Sequence, residues 1–283
     1  MFRHLDHIGI AVQDLDRAVR RVEEVLGLKA AVIEEIEDQQ VRAALIPMPV
    51  GRFELVEATS PESGVARFLD RRGEGMHHVC FAVDNIQTAR HRINSNGGQM
   101  IQEEPRAGLT GIVDFVHPKS TGGVLTEIAE ITLLTPASGD LQTHHVTIRT
   151  RDADAASDSW AAMFEIPLKR KAVSEGFHMS TAWLDAGDAE VEFAQQLNET
   201  GPVARAIEQM GEGLHAFVVE SSEPQAVAER AQAAGARVIT DDGEPDNVLR
   251  AIHPLDFLGT LVLIAAKQAP HAGLTGVAED AGH

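Results

Sequence analysis

Four side chains able to hold a metal ion lie in four short segments of alternating character: His7 in HIGIAV, Glu54 in RFELVEA, His78 in HHVCFAV and Glu127 in GVLTEIAE. An extended chain sends successive side chains to opposite faces, so phase decides which residues can meet. In the first segment Ile8, Ile10 and Val12 share the face expected to pack beneath a helix, and His7, Gly9 and Ala11 share the other. Glu54 falls opposite Phe53 and Leu55, and His78 falls opposite Val79, Phe81 and Val83. Glu127 shares a face with Leu125 and Ala129. Strands curled into one cup would point two imidazoles and two carboxylates inward. That donor set suits a divalent ion of intermediate hardness, Co, Mn, Zn, Ni or Fe(II), and leaves two octahedral positions for a substrate. A single histidine at a strand end is more often structural. An inward glutamate is costly unless paired, and two of each in matching phase favour a metal.

The elements that must position these groups recur along the chain. LDHIGIAVQDLDRAV has a counterpart in THHVTIRTRDADAAS from Thr143, and GVARFLDRRGEGMHHVCFAV from Gly64 in PVARAIEQMGEGLHAFVVES from Pro202. VHPKSTGGVLTEIAE from Val116 aligns with IHPLDFLGTLVLIAA from Ile252. Two homologous halves are therefore expected, 1–131 and 141–268, with 132–140 as a linker and 269–283 as a flexible tail. Each half divides again into strand, helix and short strands. Asp14 or Asp16 caps a first helix with Val19, Val22 and Leu26 on one face and Gly27 at its end. The fold class is α+β, built from four βαβββ units.

Composition narrows the function classes. The 283 residues carry 24 Lys and Arg against 43 Asp and Glu, a net charge of −19, which makes nucleic acid and anionic membranes poor partners. There is no apolar run long enough to span a bilayer, the first residues do not resemble a signal peptide, and the single cysteine, Cys80, has no internal partner. A cytoplasmic location is the expectation. Arg67, Arg71 and Arg72 form the best basic cluster for an anionic ligand, although a solvated helix face explains each singly. Cys80 reads as a small buried filler, and His77 as a structural residue on the strand face opposite His78. His117 and His253 recur in the HP turns of both halves and so read as turn residues.

LDHIGIAV, FELVEATSPESGVARFLDRRGEGMHHVCFAVDNI and EEPRAGLTGIVDFVHPKSTGGVLTEI together resemble the methylmalonyl-CoA epimerases of the vicinal oxygen chelate superfamily. The resemblance covers nearly all of the first half. It implies two cup-shaped vicinal oxygen chelate domains, and it puts the family's ligands on His7, Glu54, His78 and Glu127, the four that strand phase selects. Glu54 stands where the epimerases often have Gln. The implied chemistry is abstraction of a proton beside a thioester carbonyl of an acyl-CoA or related small acid derivative, with a metal-stabilised enolate. Glu127 is then the base. The family's second acid–base Glu corresponds to Ala43, so water, Glu37 or Glu104 would have to substitute.

The second half keeps His145 and Glu192 but has Ala216 and Leu263 in place of His78 and Glu127. It reads as degenerate, with an Arg149–Glu192 ion pair expected to fill the vacated cavity. The chain would be a monomer mimicking a one-domain dimer, or a homodimer. Two alternatives remain open at this point: an Fe(II) dioxygenase of the same superfamily, and a ligand-sequestering protein without chemistry. Contacts near Arg67, Arg106 and Lys119 would reveal a CoA chain.

Overall fold

The computed structural model describes residues 2–135, 137–175, 178–240 and 250–267; the tail expected at 269–283 lies outside the described residues. The first half runs β1 (Phe2–Val12), α1 (Leu15–Leu26), β2 (Val32–Ile36), β3 (Val41–Pro47) and β4 (Arg52–Ala58). It continues through α2 (Gly64–Arg72), β5 (Gly75–Val83), α3 (Ile86–Ser95), β6 (Arg106–Ala107), β7 (Gly111–Val116) and β8 (Leu125–Ile131). The second half repeats this order with β9 (Gln142–Arg149), α4 (Ala153–Phe164), β10 (Leu168–Ser174), β11 (Met179–Ala186) and β12 (Ala189–Gln196). Then follow α5 (Pro202–Met210), β13 (Gly213–Ser221), α6 (Pro224–Ala233), β14 (Val238–Thr240), β15 (Arg250–Ile252) and β16 (Val262–Ala266). Four βαβββ units result, as the repeats predict, with α2 and α5 as the links between units.

Each half forms one eight-stranded sheet. The order is β2-β3-β4-β1-β5-β8-β7-β6 in the first, and β10-β11-β12-β9-β13-β16-β15-β14 in the second. The two units of a sheet join through an antiparallel central pair, β1 with β5, flanked by the parallel pairs β1–β4 and β5–β8. All four ligand candidates therefore come from the four central strands of one sheet.

Local chemistry fixes the helices. Asp14 accepts from the Arg17 N–H at the start of α1, and Gly27, at φ 74°, turns the chain left-handed while its N–H reaches the Glu23 carbonyl. Asp14, not Asp16, is thus the cap. Asn85 and Asp152 cap α3 and α4 in the same way. Leu15, Ala18, Val22, Val25 and Leu26 bury the inner stripe of α1.

The apolar strand faces meet more than helices. Ile8, Ile10, Phe53, Leu55, Val79 and Phe81 belong to a core that also contains Val146, Ile148, Val191, Phe193 and Phe217 of the other half. Phe53 meets Phe217 edge-on, with ring centroids 4.9 Å apart. The face expected to lie beneath a helix is therefore shared between helices and the partner sheet. The two GEG turns engage the other half reciprocally: a Cβ on Gly259 would lie 1.8 Å from the Glu74 carbonyl, and one on Gly123 would lie 2.4 Å from the Glu212 carbonyl. Such close backbone approach requires glycine. The two halves are thus docked like the subunits of a dimer. Among the described residues, no helix is long and apolar enough to cross a membrane.

Candidate metal centre

His7, Glu54, His78 and Glu127 converge on the concave face of the first sheet, each buried, with one donor atom from each within 4.8 Å of the others. His78 Nε2 lies 3.0 Å from a Glu127 oxygen and 3.3 Å from a Glu54 oxygen. His7 Nε2 lies 3.3 Å from Glu127 and 3.5 Å from Glu54, and the two Nε2 atoms are 3.3 Å apart. Ligands placed about 2.0–2.2 Å from one ion stand about 2.8–3.6 Å from their neighbours in octahedral or tetrahedral arrangement, a range that contains the separations seen. Two imidazoles and two carboxylates fit a divalent ion in number, type and separation.

Gly9 makes room for the site. It sits opposite His78 across the β1–β5 ladder, and a Cβ there would lie 2.0 Å from the His78 ring. The second half has exchanged sizes at this pair, with Thr147 opposite Ala216.

Two residues that strand alternation misplaces support the donors. The β1–β5 register slips between Leu5 and His7 and again between Gly9 and Ile10. A bulge breaks the strict alternation of faces. The first slip puts Asp6 beside His7, whose Nδ1 is 2.8 Å from the Asp6 carboxylate. Arg52, almost fully buried, binds the same carboxylate and the Leu133 carbonyl. A carboxylate on the outer nitrogen fixes the tautomer of a metal-binding histidine and raises its basicity. The second slip overturns the expectation that His77 faces away: its Nδ1 is 3.0 Å from His78 Nδ1, and its ring packs edge-on against Phe68 of α2.

Burial disfavours charge on every member of the cluster, but mutual pairing outweighs it. His7, through Cys80, Glu54 and Asp6, and His78, through Glu127 and Glu54, lie above the ordinary imidazole range, and Glu54 and Glu127 lie below theirs through the two imidazoles. Asp6 is likewise well below its usual range despite burial, through His4, His7 and Arg52. Burial, with the charge on His78, pushes His77 down to about 3, so it is neutral. Burial, reinforced by the nearby Glu127, pushes the Cys80 thiol far up and so favours its protonated form.

The second cup is closed. His145 and Glu192 are brought together, with 3.5 Å between their nearest atoms. The expected Arg149–Glu192 ion pair does not form. Glu192 is in register with Thr147, whose hydroxyl donates to it at 2.7 Å, while Arg149, two residues further along β9, donates to the Gly211 and Leu214 carbonyls. Trp183, directly opposite Glu192 on β11, packs against His145 at 4.8 Å and fills the space that Leu45 leaves open in the first cup. At the support positions, His144 stands where Asp6 does and Glu190 where Arg52 does, so the aids to the donors have been lost as well. The repeats contain the replacements of Asp6 by His144 and His78 by Ala216, whereas those of Leu45 by Trp183 and Arg52 by Glu190 emerge from the strand pairing.

Other expected residues fall as follows. His117 and His253 each accept a backbone N–H within their own 3-10 turn, from Lys119 and Leu255. Arg67 and Arg71 bind carbonyls of Glu62 and Arg67, and Arg72 reaches the Met210 carbonyl in the other half. Arg106 lies over Phe115, whose ring meets His78 edge-on.

The glyoxalase/bleomycin resistance protein/dioxygenase superfamily matches residues 6–115 and 144–249, one stretch in each half and together more than half of the chain. The chain belongs to this superfamily. It is 35% identical over 127 residues to the uncharacterized protein YqjC of Bacillus subtilis, covering 44% of this chain and 91% of that one. It is 32% identical over 134 residues to an ethylmalonyl-CoA/methylmalonyl-CoA epimerase of Cereibacter sphaeroides, covering 46% of this chain and all of that one. The epimerase similarity falls in the first half. A solved 4-hydroxymandelate synthase variant from Streptomyces coelicolor shares the fold across 98% of both chains, with a TM-score of 0.76 at 13% identity.

Proposed function

We propose that His7, Glu54, His78 and Glu127 hold one divalent ion, Co, Mn, Zn, Ni or Fe(II), and that the first half is an isomerase or lyase. It would move a proton at the carbon beside the carbonyl of a small acyl derivative, with methylmalonyl-CoA as the leading substrate. The convergence of four donors in one buried cluster carries this reading, and the similarity of the same half to named epimerases supports it. When bound, the ion supplies Lewis-acid polarisation of the substrate carbonyl, which acidifies the neighbouring C–H.

The chain's own residues do the rest. Gly9 admits the His78 ring, Asp6 and Arg52 hold His7, and Ala43 and Leu45 of β3 form an apolar wall along one side of the cup. Glu127 reaches the cup from β8 and is the base that accepts the α-proton. The second half buries the back of the first sheet and, among the described residues, contributes no donor to the cluster. A homologue of the dioxygenase type would use two histidines and one carboxylate; Glu54 is a fourth donor here and weighs against that chemistry.

The test is α-proton exchange in deuterated water. Purified protein loaded in turn with each of the five metals is incubated with methylmalonyl-CoA, and deuterium at the α carbon is followed by NMR. Exchange that disappears in His78→Ala supports the reading. Absence of exchange with every metal, or oxygen consumption under Fe(II), overturns it.

A further inference from the structure

Inversion of a stereocentre requires a proton donor on the face opposite the one the proton left. Glu127, on β8, serves one side of the cup. The opposite side is formed by β3, where Ala43 and Leu45 pack with Leu109, Val32, Ile36 and Leu133 into an apolar wall. Ala43 itself has nothing to donate. The same face continues onto β2: Val32, Glu34 and Ile36 stand directly opposite Leu45, Ala43 and Val41. Glu34 is therefore the cross-strand neighbour of Ala43, on the same face and one strand further out.

Three observations single it out. Val32 and Ile36, its neighbours on that face, are drawn into the wall, while Glu34 is exposed. Its carboxylate has no hydrogen bond or ion pair among the described residues, whereas Arg42, the nearest cation on β3, is engaged with Asp16 and Glu57. Directly opposite residues have Cβ atoms about 4.5–5.5 Å apart, a gap that an extended glutamate closes by lying across a methyl group. Ala43 is itself 1% exposed and packed with Leu109, so the Glu34 carboxylate comes over the methyl in place of Leu109. Glu37 and Glu104, the substitutes considered from sequence, do not share this placement: Glu37 begins the 3-10 turn beyond β2, and Glu104 lies in the loop before β6.

We propose that Glu34 is the second acid–base residue of this site, displaced by one strand. This role rests on the proton-transfer reading above. The α C–H bond breaks, its electron pair enters the enolate, and the proton passes to the Glu127 carboxylate. The O–H bond of the Glu34 carboxylic acid then breaks as a new C–H bond forms on the opposite face. Glu127 ends protonated and Glu34 ionised; Glu127 then gives its proton to water and Glu34 takes one from water, which restores the starting state.

Each single epimer of methylmalonyl-CoA is incubated with metal-loaded protein in deuterated water, and deuterium uptake and inversion are scored separately. Wild type inverts both epimers with uptake. In Glu34→Gln, inversion falls about 100-fold or more. One epimer, whose α-hydrogen faces Glu127, still takes up deuterium with retention, and the other does neither. Metal affinity by calorimetry is unchanged in this variant, and Ala43→Glu introduced beside it restores inversion. Glu35→Gln, on the opposite face of β2, behaves as wild type. Inversion by Glu34→Gln at the wild-type rate, or loss of its metal, overturns the role of Glu34 alone. A wild type that neither exchanges nor inverts with any metal overturns the functional reading and the role with it.

Discussion

Replacing Asp6 with alanine tests whether the site depends on more than its four donors. Asp6 is 4% exposed and joins two groups that are otherwise poorly served, the His7 Nδ1 and the Arg52 guanidinium. Without it, Arg52 stays buried with the Leu133 carbonyl as its remaining partner, at 3.2 Å. Leaving one member of a buried ion pair alone costs about 3–5 kcal/mol, so the denaturation midpoint should drop accordingly. Loss of the orienting carboxylate should separately lower metal affinity about 10–100-fold. The two effects can be resolved. Asp6→Ala combined with Arg52→Met removes the stranded charge, so stability should recover while metal affinity stays low. Asp6→Asn keeps an acceptor for His7 without the charge and should fall between. Chemical denaturation and competitive metal titration give the two quantities. Metal affinity within about twofold of wild type in Asp6→Ala would refute the reasoning, because a loss of that size lies below any orienting effect.

Further outcomes follow from the same geometry. Gly9→Ala places a methyl where the buried His78 ring lies, and should abolish metal binding and cost about 1–3 kcal/mol of stability, as measured by calorimetry and denaturation. Metal uptake should release protons and weaken as pH falls, since His7 and His78 are held above their ordinary range by the carboxylates and must lose their protons to bind; titration in buffers of different ionisation enthalpy measures the release. In the second half, burial and Arg149 push His215 down from 6.5 to about 4. The unfolded chain then binds more protons between those values, so His215 makes stability fall as pH drops from 6.5 towards 4. His215→Gln should flatten that slope. Trp183→Ala should cost about 3–5 kcal/mol through the cavity it opens, with metal content unchanged.

The fold was legible because the sequence states it four times: a helix after each leading strand, capped by a side chain in α1, α3 and α4, and a two-residue alternation that assigns faces. The same alternation selects His7, Glu54, His78 and Glu127, which the structure brings together. It fails where the ladder slips. Asp6 and His77 adjoin His7 and His78 in sequence, and a strict period of two sends them to the far face; the bulges return them to the site. The Arg149–Glu192 pair fails for a related reason, since a shared face does not fix reach, and Thr147 is nearer to Glu192 in register. Gly9 and Trp183 are steric statements about a neighbouring strand, and become visible only once pairing is known. Glu34 is of the same kind, because its relation to Ala43 is a matter of cross-strand register.

The most direct measurement is the metal content of the purified chain by elemental analysis, with the donor set read from the absorption spectrum of the Co(II)-substituted protein. One divalent ion per chain, bound by two nitrogen and two carboxylate donors and lost in His78→Ala, is the predicted result. Two ions per chain, none with any metal supplied, or an ion retained in His78→Ala would contradict the account.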